Sequence, residues 1–182
     1  MFFLITITYK IKKMNKLIFL FIILLNASQL HAQNTPPTEI EKQVKNIRTQ
    51  FQKINASTLI KKAFNWSKDG CGQGELKFYF FNQQLVKIIE TGFIGDGSWT
   101  KEYYYKDKKI FFTYEVEYIY VGNTETKNEY RTYFYNNKII RTIENGVIKN
   151  YTKQVSVISQ TSKEYRLFNS FILKNYNDAI CQ

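Results

Sequence analysis

One pattern recurs three times between residues 79 and 141, and it constrains the fold more than any other feature. It is an aromatic segment, a short polar turn and an aliphatic segment. The first copy reads Tyr79-Phe80-Phe81, Asn82-Gln83-Gln84, Leu85-Val86-Lys87. The second reads Tyr103-Tyr104-Tyr105, Lys106-Asp107-Lys108 and, after Lys109, Ile110-Phe111-Phe112. The third reads Tyr133-Phe134-Tyr135, Asn136-Asn137-Lys138, Ile139-Ile140-Arg141. Aromatic and β-branched residues fit a pleated surface, and short polar breaks between them read as hairpin turns. Asn136-Asn137 suits a two-residue turn with positive φ, as does Asn145-Gly146, which predicts a fourth hairpin. From residue 75 to about 158 the chain is therefore expected to be antiparallel sheet.

Helical patterns flank this region. Thr38 and Glu41 form a capping-box signature, followed by Ile40, Val44, Ile47, Phe51 and Ile54 at spacings of four and three, with Glu41, Lys42, Lys45, Arg48, Gln52 and Lys53 opposite. That is an amphipathic helix whose stripe packs on a sheet. A second short helical piece is read over 57–64. Residues 68–74, Lys-Asp-Gly-Cys-Gly-Gln-Gly, end the helical region; they lack the GK[ST] ending of a phosphate-binding loop, so their glycines serve tight turns around Cys71. Thr161 and Glu164 suggest another capping box before a closing helix over 162–176, with Tyr165, Phe168, Phe171, Ile172 and Tyr176 as its stripe. The expected fold is α+β: an antiparallel β-meander of about seven or eight strands, with an N-terminal and a C-terminal helix packed on one face.

The aromatic-x-x-turn-Lys-aliphatic unit of Tyr133 to Ile140 resembles the hairpin repeats of MORN-type and related secreted bacterial meander proteins, some of them antitoxin-like. The resemblance implies a meander architecture and carries no functional residue across. The regular glycines of MORN repeats are missing, and the aromatic segments start 24 and then 30 residues apart, at 79, 103 and 133. A helix followed by a long curved sheet also resembles cystatin-like and periplasmic inhibitor architectures in topology.

Residues 17–25 are unbroken hydrophobicity, preceded by Met14-Asn15-Lys16 and closed by Leu30-His31-Ala32. The three regions of a secretory signal stand in order, which predicts a signal peptide over 1–32, with Met14 a possible true start, and one α+β domain over 33–182. A retained anchor is the alternative, but Lys10, Lys12, Lys13 and Lys16 interrupt the apolar stretch, and no stable membrane span is expected after cleavage. Loss of four lysines takes the formal charge from +11 to +7. An exported, periplasmic or secreted location permits Cys71 and Cys181, the two cysteines of the chain, to pair as a disulfide; two thiols are the other reading.

The signal would carry away His31, the single histidine. Ser-His-Asp, Cys-His and histidine-bearing zinc sites then fall outside what the mature chain can build, and neither a metal, a cofactor nor a catalytic residue is expected. A carboxylate pair remains, with Glu90, Asp96, Glu115, Glu117 and Glu144 as the acids by position. The connection over 91–100, Thr-Gly-Phe-Ile-Gly-Asp-Gly-Ser-Trp-Thr, presents Phe93, Asp96 and Trp99; with Tyr103 and Tyr105 these are the expected contacts to a partner, the competing and favoured reading of Trp99 being that it begins the next strand and faces the core. Aromatic runs that occupy both faces of their strands, in an exported chain, argue against a one-sided nucleic-acid platform. The sequence thus predicts a non-enzymatic exported binding protein, of inhibitor or immunity type, whose partner is a protein. A binder of envelope glycan or lipid is the alternative, and oligomeric state is not written in the sequence.

Overall fold

The structure, a computed structural model, describes residues 38–149 and 158–181. The expected signal peptide lies outside the described residues. All of them except Thr38 belong to the compact unit Glu39–Gln182. Helix α1 (Glu39–Asn55) is followed by eight strands: β1 (Ile60–Lys68), β2 (Gly72–Phe81), β3 (Gln84–Ile94), β4 (Gly97–Lys106), β5 (Lys109–Val121), β6 (Thr124–Tyr135), β7 (Lys138–Glu144) and β8 (Val147–Lys149). Helices α2 (Lys163–Leu173) and α3 (Tyr176–Ile180) close the described chain. The strands lie side by side in chain order, each antiparallel to the next, so the sheet is the expected meander.

Three hairpins at one end of the sheet share one geometry. Their turns are the pairs Asn82-Gln83, Asp107-Lys108 and Asn136-Asn137, and both residues of each pair have positive φ, between 47° and 65°. Such turns match the right-handed twist of the strands they join. Each hairpin then carries a bulge, because Val86, Phe111 and Ile140 are extra residues opposite the steps 79/80, 104/105 and 133/134. The structural repeat therefore begins at Tyr79, Tyr104 and Tyr133, one residue later in the second copy than its aromatic triplet suggests. Gln84, Lys106 and Lys138 are strand residues rather than turn residues. At the other end, Asn145-Gly146 turns with positive φ at both positions, while Gly95 and Gly122 open the β3–β4 and β5–β6 turns.

The helices sit on opposite faces, which corrects the expectation of a single covered face. Tyr103 and Tyr105 point into a cluster with Phe78, Ile88, Ile110, Phe134, Tyr165 and Leu167, under α2 and α3. Tyr104, between them, points the other way into a cluster with Val44 and Ile47 of α1, Phe112, Tyr133 and Ile143. Successive side chains of a strand alternate in direction, so three consecutive fully buried tyrosines require a layer on each side.

Residues 57–64 form no helix; β1 begins at Ile60 and pairs with β2 as far as Lys68 against Gly72. The Cys71 loop accordingly joins two strands instead of ending a helical region. The closing helix stops at Leu173, since Lys174 takes a left-handed conformation, φ 54°. That turn brings Tyr176 of α3 onto Phe64 of β1, with ring centroids 4.5 Å apart. The capping box is replaced too. Ser162 is the N-cap and gives the helix no side-chain hydrogen bond, and the Thr161 hydroxyl pairs with that of Ser159 at 2.6 Å. Cys71 and Cys181 form a disulfide, compatible with an oxidising, exported location. Among the described residues no helix is long and apolar enough to cross a membrane.

Candidate functional site

The five expected contact residues separate into three environments. Phe93 and Asp96 lie at the exposed β3–β4 tip, where the Asp96 carbonyl accepts a hydrogen bond from the Tyr120 backbone N–H at 3.0 Å and ties this tip to the next strand pair. Trp99 faces the α2 side, half-buried, with its ring 6.0 Å from that of Trp66. Both indoles stand over Gly92, where a Cβ would come within 2.3 Å of the Trp99 ring and 2.7 Å of the Trp66 ring. No side chain fits there. Tyr103 and Tyr105 are fully buried and offer no surface to a partner. Their hydroxyls donate to the Glu90 carboxylate at 2.6 Å and to the Glu164 carbonyl at 2.7 Å.

The acids singled out in the sequence are mostly engaged in structure. Glu90 is completely buried and accepts from Tyr103, from Trp99 Nε1 at 2.8 Å and from Lys163 Nζ at 2.8 Å. Glu115 pairs with Lys101 at 2.9 Å, and Glu144 with Lys149 at 3.2 Å. Burial, reinforced by the neighbouring Glu115, raises the Glu117 carboxyl above its usual range. The Glu90 carboxylate thus gathers three donors, two from β4 and one from α2, and through Lys163 this seam joins α2 to the sheet. Among the described residues no three His, Cys, Asp or Glu side chains stand together as a metal site.

The tyrosine core has a measurable signature. Burial pushes the Tyr103 and Tyr105 phenols well above their ordinary value, with the Glu90 and Glu164 carboxylates adding to it. Tyr104 is raised by burial and by its hydrogen bond to Glu102. The unfolded chain therefore loses these protons first, near pH 10, and the stabilisation present below that pH is lost as pH rises through the folded-state values. In a spectrophotometric titration these three phenols are expected to stay protonated above the ordinary phenol range and to ionise only together with unfolding. Reversible ionisation of all tyrosines near pH 10 with the fold intact would contradict this burial.

What sequence reasoning missed is the apolar collar around the Phe93 tip. Phe93, Ile94, Ile119, Tyr120 and Val121 are 44–73% exposed, and they flank the adjacent turns at Gly95 and Gly122. Ile94 and Ile119 both pair with Gly97, so the two tips form one surface. Phe93 and Tyr118 meet across Ser98 on the α1 side of the sheet and border a shallow groove of about 540 Å³ with Thr91 and Thr100. Phe93, Tyr118 and Tyr120 belong to neither core cluster. The signal for this collar was the run Ile119-Tyr120-Val121 immediately before Gly122, where a solvated turn would ordinarily be polar. No protein-family model, curated protein or solved structure matches this chain.

Proposed function

We propose that the chain is a non-enzymatic, exported binding protein that docks a protein partner through the paired β3–β4 and β5–β6 tips and the adjoining aromatic half of the sheet. One observation carries this reading: five apolar side chains, Phe93 among them, stand exposed on two hydrogen-bonded tips, contiguous with Tyr118 on an unclustered sheet surface. Contiguous exposed apolar patches mark interaction sites, and aromatic anchors dominate their energetics. The Cys71–Cys181 bridge supports the exported part of the reading. Inhibitor or immunity roles fit a rigid domain that presents preformed hairpins, because little ordering accompanies binding.

Phe93→Ser with Val121→Ser is the test. Both side chains lie on the surface, so the melting temperature is expected to stay within a few degrees. Immobilised wild-type protein should retain one exported protein at moderate salt, and the double variant should lose it. Equal retention by both would sink the reading. If soluble envelope glycan instead displaces whatever is retained, the hydroxyl-lined groove at Thr91, Ser98 and Thr100 serves a sugar.

A further inference from the structure

We infer that a second site lies at the opposite end of the sheet, a cleft of about 880 Å³ that takes a long-chain carboxylate amphiphile, chain inward and head at the rim. The cleft lies at the tips of the β2–β3 and β4–β5 hairpins, bordered by the end of α1 and by α2. Its volume is in the range of small-molecule pockets. Phe80, Leu85, Phe168 and Phe171 supply its apolar wall from the α2 side, and Ile54 and Val86 supply it from the α1 side.

The three equivalent hairpins explain why the space is there. In the second and third, the bulged residues Phe111 and Ile140 are packed into the cluster beneath α1. In the first, the bulged residue is Val86, which belongs to neither cluster and lines the cleft instead. The end of α1 reaches this hairpin through Asn55, whose Oδ1 accepts from Lys87 Nζ at 3.0 Å. Phe81 and Ile172, 43% and 76% exposed, remain uncovered at the mouth.

Charge complementarity chooses the head group. Lys53, Lys106 and Lys108 line the cleft against one acid, Asp107. Among the described residues none of these three lysines forms an ion pair with an acid, so their ammonium groups are open to an anionic ligand. A further ammonium, Lys62 Nζ, stands 5.3 Å from the Phe171 ring centre. An apolar wall beneath unpaired ammonium groups fits a hydrocarbon chain that ends in an anion. This site is independent of the tips that dock the proposed protein partner.

The test is equilibrium titration of the oxidised protein with a fluorescent long-chain fatty acid, alongside the alcohol of the same chain length. Saturable binding of the acid is expected, weakened by added salt, with the alcohol at least about tenfold weaker. Ile172→Glu is expected to weaken the acid about tenfold at an unchanged melting temperature. Lys106→Gln with Lys108→Gln, both exposed turn-region positions, should weaken it several-fold and flatten the salt dependence even if the helix variant proves unstable. No saturable binding, equal binding of acid and alcohol, or an acid affinity indifferent to these substitutions would each overturn the assignment. Phe93→Ser with Val121→Ser should leave this titration unchanged, so failure here and failure of the protein-docking reading are separable.

Discussion

Replacing Cys71 and Cys181 together with serine is expected to lower the unfolding free energy by about 4 to 5 kcal/mol, from the loop-closure entropy of the crosslink. The cysteines are 110 residues apart, and their bond closes a loop that takes in strands β2 to β8 and leaves β1 outside it. What remains at that junction without it is the burial of Ala179 and Ile180 in the core and a few weaker contacts. Lys68 and Asp178 pair at 3.3 Å between two side chains that are 42% and 60% exposed, so solvent screens them. The Ser67 N–H donates to Asn177 Oδ1 at 3.2 Å, and Tyr176 stacks on Phe64. Urea titration of oxidised wild type and the double variant measures the difference as a shift of midpoint. A loss under about 1 kcal/mol would mean that these contacts hold α3 on β1 unaided. The expected loss also ties stability to compartment, since a reducing environment would take the same stabilisation away.

The hairpins were legible because turn chemistry is local. Asn136-Asn137 and Asn145-Gly146 tolerate the positive φ that a two-residue turn demands, and both form as expected. The second copy hid its register because Tyr103, Tyr104 and Tyr105 are all aromatic, and a run without alternation does not say which residue pairs across. The same run did announce two covered faces, a consequence that follows only when alternation is applied to burial on both sides. β1 was misread because Ile60, Ala63 and Phe64 fall at helical spacing over a few residues. The alternation of Phe64 and Trp66, inward on the α2 side, was the better signal. The pattern that points to export lies in residues 1–32, and the fold of the described residues bears on export only through the disulfide. For the site, loop composition located Phe93 and Asp96 at a tip, but it could not show that Trp99 turns to the other face, because that depends on strand register and on the space above Gly92. The Val86 cleft had no sequence signal at all, since it arises from the difference between one bulge that α1 covers less and two that it covers.

Glu90→Leu is expected to cost about 3 to 5 kcal/mol, the scale of breaking a buried charged network by removing one member. The three donors do not share that cost equally. Lys163 is 32% exposed and can turn its ammonium to water, so little of the loss belongs to it. Tyr103 is fully buried, and its hydroxyl would be left with no acceptor; Trp99 Nε1 loses the same partner. Tyr103→Phe in the Glu90→Leu background should therefore recover about 1 to 2 kcal/mol, because it removes the orphaned hydroxyl. Lys163→Met in that background should recover less than about 1 kcal/mol. Urea-derived double-mutant cycles decide between the two. A larger recovery from Lys163→Met would show that the seam is an ion pair first and a hydrogen-bond network second. In that case the network ties α2 to the sheet by charge and should loosen as salt rises; if the tyrosine dominates, the network chiefly joins β3 to β4 and is indifferent to salt. The N-terminal end of α2 carries Lys163, and farther along the same helix Phe168 and Phe171 wall the cleft, so the answer also fixes whether cleft affinity tracks ionic strength through the head group alone or through the wall as well.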